Sequence, residues 1–354
     1  MENYLLAPFL AFVGSTLALL VIKQLAQKSG FVDEPDPASR KKHSSPVPPV
    51  GGLIVFPFGI VFSAAAGFDW IENWPLCAAI SIMLVVGLID DLYEIPSTVK
   101  LFFQVFAALL LVLPGNALLS DLGNLMGTGE FNLGLFSVPF SLFCIVLLIN
   151  ALNMIDGLDG LSGGVGLIVL SSLAIFSFLS GTPGFITLIL PFIAALAGFW
   201  VLNMRFPWQK RAQIFFGDSG TLALGCLIAW LTISVYNNSE GQIPSMALGW
   251  LLAFSVMDAF ALFVLRLSQR RSPFSADRFH FHHILRDSGF HASTAVLIIL
   301  SIHIIYALIA MAAFMYPTFP EWMFFYPWVM ILALHSLIIF KARKAEDFLQ
   351  RFLT

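Results

Sequence analysis

The chain has 354 residues, of which 58% are hydrophobic and only 11% charged, with a net charge of −3 and a mean hydropathy of +0.88. Ordinary soluble enzymes carry roughly 25% charged residues, so this composition excludes one and leaves a polytopic membrane protein. The net charge decides little, because in a membrane protein the placement of charge matters more than its sum.

Eleven apolar stretches can be drawn in chain order, at 5–25, 50–67, 75–91, 100–113, 135–151, 161–180, 184–204, 219–236, 245–266, 294–315 and 326–341. Each comes near the length of about 20 residues that a bilayer asks of a helix. The predicted fold is therefore an all-α polytopic membrane protein: one integral membrane domain over 1–341 and a short amphipathic tail at 342–354. No basic region or small-residue cleavage site accompanies the first apolar run, so it reads as a retained helix. Cys77, Cys144 and Cys226 lie in apolar stretches without paired spacing and read as small hydrophobes.

With eleven spans, all eighteen Lys and Arg fall on one face, and the opposite loops hold only acids such as Asp69, Asp121, Glu240 and Glu321. Basic loops mark the cytoplasmic side. The N-terminus is thus expected outside and the C-terminus inside. The aromatic stretch 316–328 suits an outer interfacial belt, and the Gly-rich 121–131 a connector.

Five inner stretches carry the polar chemistry: SRKKHSSPVPPVGG (39–52), IDDLYEIPSTVK (89–100), NALNMIDGLDG (150–160), FPWQKRAQIFFGDSG (206–220) and SQRRSPFSADRFHFHHIL (268–285). In the third, Asn150, Asn153 and Asp156 are three apart and share one side of a helical end. Gly157 and Gly160 then allow a sharp turn beside a ligand. Acids and oxygen donors such as Asp90, Asp91 and Asp218 suit a hard divalent cation, and Lys and Arg opposite them suit a phosphate or diphosphate. Plainer readings stand beside these. The 150–160 segment could be an ordinary capped loop, Asp90 and Asp91 a solvated helix end, and His280, His282 and His283 a solvated loop or a zinc site without thiolates. The GDSG at 217–220 resembles a serine-protease motif by coincidence.

Taken in order, PPVGG, GLIDD, NALNMIDGLDG, FFGDSG and the Arg-x-His-x-His-His loop resemble the polyprenyl-phosphate N-acetylhexosamine-1-phosphate transferases over most of the chain. That resemblance implies a metal site of Asn153 and Asp218 holding Mg2+, or Mn2+ in its place. It implies that Asp90 receives the proton of the attacking lipid phosphate with Asp91 beside it. Asp156, Asp159, His280, His282 and His283 complete the catalytic set. Asp156, Gly157, Leu158 and Asp159 match the stretch that holds uracil, on which Phe215 stacks. Lys100, Asn150 and Arg278 engage phosphates and sugar, and Asn203 corresponds to a further nucleoside contact.

The implied reaction moves GlcNAc-1-phosphate from UDP-GlcNAc to undecaprenyl phosphate at the bacterial inner membrane, opening a lipid-linked route to cell-surface polysaccharide. Its expected partners are those two substrates and membrane lipid, with a homodimer as a further expectation and no nucleic acid. The HxHH pattern favours the GlcNAc branch over UDP-MurNAc-pentapeptide or UDP-FucNAc-type donors. A lipid or solute transporter is the reading from another class, and Asp258 is the acid that falls inside a span.

Overall fold

Without water to satisfy it, a peptide backbone in lipid must close its own hydrogen bonds, and the helix does so within one segment. The computed structural model describes residues 3–33, 46–272 and 279–353. Arg278 and the basic residues Arg40, Lys41 and Lys42 lie outside them. In order the helices are α1 (Asn3–Ser29), α2 (Gly51–Ala65), α3 (Trp74–Tyr93), α4 (Ser97–Val112), α5 (Ser137–Ile155), α6 (Leu161–Leu179) and α7 (Ile186–Asn203). They continue with α8 (Gly217–Asn238), α9 (Ser245–Leu251), α10 (Ala253–Ser268), α11 (Phe281–Asp287), α12 (Ala292–Met315) and α13 (Trp322–Leu353).

Each expected span has its helix, but they are not equal. Among the described residues eight helices are long and apolar enough to cross a membrane, and α9 with α10, bent by 74° at their junction, makes a ninth. This is a multi-pass membrane protein. The remaining two expected spans, α2 and α4, have only 15 and 16 residues. At about 1.5 Å per residue they reach roughly 22–24 Å, short of a hydrocarbon core of about 30 Å. The stretch 342–354, expected as a separate tail, carries α13 on as helix to Leu353.

Helix α8 is the axis of the bundle: its apolar window is 94% buried, against 11% for α13. Helices α2, α3, α5 and α6 surround it. Small residues permit the close approach, as they do between membrane helices generally. A Cβ on Gly225 would lie 2.6 Å from the Ile149 Cα on α5. Gly52 of α2 abuts Gly220, and Gly87 of α3 abuts Ser219, so that no side chain fits at either crossing. These contacts gather one end each of α2, α3 and α8 into a single polar corner. At the other end, Asp121 accepts a hydrogen bond from Tyr236 at 2.8 Å and Glu321 receives the Ser245 amide at 3.1 Å, which ties the Gly-rich 121–131 stretch and α13 to the bundle.

Candidate active site

The polar corner begins with two neighbouring acids that part company. Successive residues on a helix point about 100° apart, and the last turn of α3 therefore sends Asp90 and Asp91 to different partners. Asp90 meets the Lys100 ammonium at 2.7 Å, and Lys100 also reaches Asp218 at 3.3 Å. Asp91 instead accepts the backbone amides of Asp218 at 2.8 Å and Ser219 at 3.3 Å. It caps the N-terminus of α8, where unsatisfied amides and the helix dipole favour an anion. Asp90 and Asp91, expected beside one another, thus have different partners: Asp90 faces Lys100, and Asp91 holds the helix that carries Asp218.

Asn153, in the last turn of α5, donates to Asp218 at 3.1 Å and to Thr221 at 2.8 Å. Asn150, one turn earlier, pairs with the buried Gln104 at 2.7 Å. PPVGG and FFGDSG, far apart in sequence, also meet here. The Phe215 amide donates to Pro48 at 3.0 Å, and the Gly51 and Gly52 amides donate to Phe215 and Phe216 at 3.0 and 2.9 Å. Phe215 is thereby fixed by its backbone next to the first residues of α8.

The loop that follows α5 is less uniform than its motif. Asp156 turns to Ser162, 2.6 Å away. Asp159 accepts Arg205 at 2.6 Å and the Ala212 amide at 3.1 Å through one oxygen. Leu158 packs against the core. Asn203, expected at the nucleoside, is only 3% exposed and is occupied at both ends, accepting the Gly160 amide at 2.7 Å and donating to Ile214 at 2.8 Å. It is a clamp between two loops and does not face open space.

Burial pushes the Asp156 carboxyl up to about 7, with Asp218 and Asp159 adding to the rise against the Ser162 bond. The folded protein thus keeps a proton that the unfolded chain releases near its ordinary 3.8. The resulting stabilisation is full below that value and is lost as pH rises through about 7. The thermal midpoint is therefore expected to fall between about pH 4 and 7, and Asp156→Asn to flatten that fall. A midpoint with equal slope in both proteins would remove Asp156 as its source.

The three histidines line a cavity of about 750 Å³ together with Lys100, Asn153 and Gly157. His280 is held from behind by Asp258 at 3.0 Å. His282 is 2% exposed, and neither of its ring nitrogens has a partner among the described residues. Burial, with His283 and His280 contributing, pushes it down to about 3, so it stands there as a neutral imidazole. A buried polar group without a partner is costly and is what a missing ligand leaves behind. Its ring lies where a Cβ on Gly157 would be. Gly157→Ala is accordingly expected to displace His282 and cut turnover at least about tenfold with the fold intact. Wild-type turnover in that variant would show that His282 has no duty at this position.

The cavity extends as a groove between α4, α5 and α10. Along α5 its wall follows one helical stripe, Pro139, Phe143, Val146, Asn150 and Asn153, flanked by Leu142, Leu147 and Met154, with Gly157 just past the end of the helix. From Asn153 to Pro139 this runs about 21 Å, polar at the acid end and apolar beyond. Two lining residues escaped sequence reasoning. Gln104, 2% exposed, follows Lys100 by four on α4, a spacing that was available as a signal. Arg266, 3% exposed, is a basic residue at the inner end of the 245–266 span, and it lines the wall from the last turns of α10. Asp90, Asp91, Asp156, Leu158, Asp159, Asn203, Phe215 and Asp218 are not among the residues that line this cavity; Asp90 and Asp218 reach it through Lys100, which does.

Among the described residues no group of three or more His, Cys, Asp or Glu could by itself hold a metal ion. The Asp218 carboxylate has the oxygen chemistry of a Mg2+ ligand, an ion that takes one or two protein ligands when phosphate oxygens and water complete its shell, whereas Asn153 turns its amide nitrogen to Asp218 and would have to present its oxygen instead. That Asp90 and Asp218 already converge on one cation, the Lys100 ammonium, fits the same need for positive charge.

A model of glycosyl transferase family 4 matches residues 73–236. The undecaprenyl-phosphate alpha-N-acetylglucosaminyl 1-phosphate transferase of Yersinia pestis is 30% identical over 342 residues, 96% of this chain and 93% of that protein. The chain belongs to glycosyl transferase family 4. Proteins of the same name from Escherichia coli and Haemophilus influenzae are 29% and 28% identical, covering 96% and 98% of this chain and 92% and 97% of their own. The segment matched by the family 4 model runs from α3 to α8 and includes Asp90, Lys100, Asn153 and Asp218. The histidines and Asp258 lie beyond it, within the stretch shared with the full-length relatives.

Proposed function

We propose that this chain transfers GlcNAc-1-phosphate from UDP-GlcNAc to undecaprenyl phosphate, releasing UMP. The observation that carries the reading is the groove, which joins a head lined by Lys100, Arg266 and the histidines to an apolar wall of Val105, Leu142, Phe143, Val146 and Leu147, over a run of about 21 Å along α5. A water-soluble diphosphate and a long polyprenyl chain need such a joint, with the head for phosphates and the wall for hydrocarbon. The names of the full-length relatives point the same way.

The step is a single displacement. An oxygen of the lipid phosphate forms a bond to the β-phosphorus of the donor. The bond from that phosphorus to the bridging oxygen breaks, and its electron pair leaves with UMP. A phosphate monoester is largely dianionic near neutral pH, its second pKa being about 6, so Asp90 orients the acceptor and takes a last proton. Lys100, between Asp90 and Asp218, offsets phosphate charge. Asn153 and Asp218 hold Mg2+, or Mn2+, which when bound supplies charge neutralisation to the diphosphate. Phe215 stacks on the uracil, and the remaining oxygen of Asp159 accepts from it.

The reading places the groove's head at the cytoplasmic face of the bacterial inner membrane, where all eighteen basic residues fall on an eleven-span topology. The short helices support it. α2 and α4 both start at the polar corner, where Gly52 meets Gly220 and Lys100 meets Asp218. The groove wall on α5 leads back to the corner from the far end.

Purified protein with UDP-GlcNAc is expected to release UMP only when undecaprenyl phosphate and Mg2+ are both present. Release without the lipid would indicate a hydrolase, and no release from any UDP-N-acetylhexosamine would sink the transferase reading in favour of a transporter. A panel of such donors reads out the sugar.

A further inference from the structure

Asp258 is 4% exposed on α10, ten residues and about 15 Å from that helix's Ser268 end. An acid at such depth is expensive unless it is partnered, and its partners indicate what it serves. One oxygen meets His280 Nδ1 at 3.0 Å. The other accepts the Phe281 amide at 3.0 Å and meets His335 Nε2, from the middle of α13, at 3.1 Å. The carboxylate therefore cannot rotate, and it joins three elements: α10, the segment entering α11, and the last helix of the bundle.

His280 lines the cavity and stacks on His282, ring centroids 5.6 Å apart. With Nδ1 engaged by Asp258, Nε2 is the nitrogen through which its ring can meet a ligand. A carboxylate behind an imidazole selects the tautomer protonated on the near nitrogen and fixes the plane of the ring. A second imidazole on the far oxygen locks the carboxylate in turn.

We propose that Asp258 and His335 are positioning residues for His280, aiming its Nε2 at the phosphoryl groups in the groove. This goes beyond the transferase reading and rests on it. It also gives α13, most of which faces away from the bundle core, a part in the chemistry.

The test is a double-mutant cycle on the full chain with UDP-GlcNAc, undecaprenyl phosphate and Mg2+. His280→Ala sets the floor. Asp258→Asn is expected to lower kcat about 30-fold, within the roughly 10–100-fold that groups orienting a functional histidine contribute, and to leave the donor KM within about threefold. In the His280→Ala background the same change is expected to cost less than about twofold, because the residue it positions is gone. His335→Leu, which leaves the acid in place, should lose about tenfold alone and again almost nothing without His280. It carries the test should Asp258→Asn fold poorly. Equal losses in both backgrounds would reduce the network to bundle packing and overturn the proposal, as would wild-type kcat in Asp258→Asn. Absence of turnover in the wild-type chain would remove the transferase reading and this proposal together, whereas turnover with additive losses removes this proposal alone.

Discussion

Asp218→Ala is expected to reduce turnover at least about a thousandfold and to abolish what remains of its Mg2+ dependence. The position concentrates more of the site than any other. One carboxylate oxygen receives Asn153 at 3.1 Å and the other faces Lys100 at 3.3 Å, so its loss removes one partner from each, leaving Asn153 on Thr221 and Lys100 on Asp90. The scaffold should survive, because the bonds that cap α8 run from the backbone amides of Asp218 and Ser219 to Asp91 and do not involve the deleted side chain. Turnover measured across a Mg2+ titration, with thermal unfolding as a control on the fold, reads this directly. Activity within about tenfold of wild type and an unchanged Mg2+ curve would take Asp218 out of the metal site.

Asp90→Asn should separate chemistry from binding. The Asp90 oxygen that accepts the Ile95 amide at 2.9 Å shapes the turn into α4, and an asparagine oxygen can keep that bond. What disappears is the charge opposite Lys100 and the capacity to orient or deprotonate the acceptor. We expect kcat to fall about a hundredfold, in the range of general-base removal. Donor KM and UMP affinity should change by less than about threefold. A loss carried mainly by nucleotide binding would recast Asp90 as a binding group. Asp91→Asn should differ in kind, since that acid serves the α8 terminus and its removal tells on stability first.

These two neighbours show how much of the site was legible. GLIDD announced acids at a helix end, but the division of labour between Asp90 and Asp91 depends on where α8 begins. That is set by the crowded glycine crossings at Gly52 and Gly87. Asn203 has the amide chemistry of a nucleoside ligand, and in the fold both its ends are taken by backbone, which no local pattern of residues foretells. Asp258 stood out as an acid in a span, yet nothing in the order of residues linked it to His335, 77 positions away. The histidine loop could equally have been solvated. Burial of His282 against Gly157 is what turned it towards the groove.

The sequence by itself determined the helical membrane fold, the approximate limits of its spans and the residue types gathered at one end of the bundle. Hydropathy, helix length and the placement of basic loops are properties of neighbouring residues, and the bilayer imposes them locally. Only the tertiary structure decided which side chain meets which: Lys100 between Asp90 and Asp218, Asp91 on α8, and Asp258 behind His280. Such pairings depend on how closely helices cross and which way each turn points, and those are settled by packing across the whole bundle.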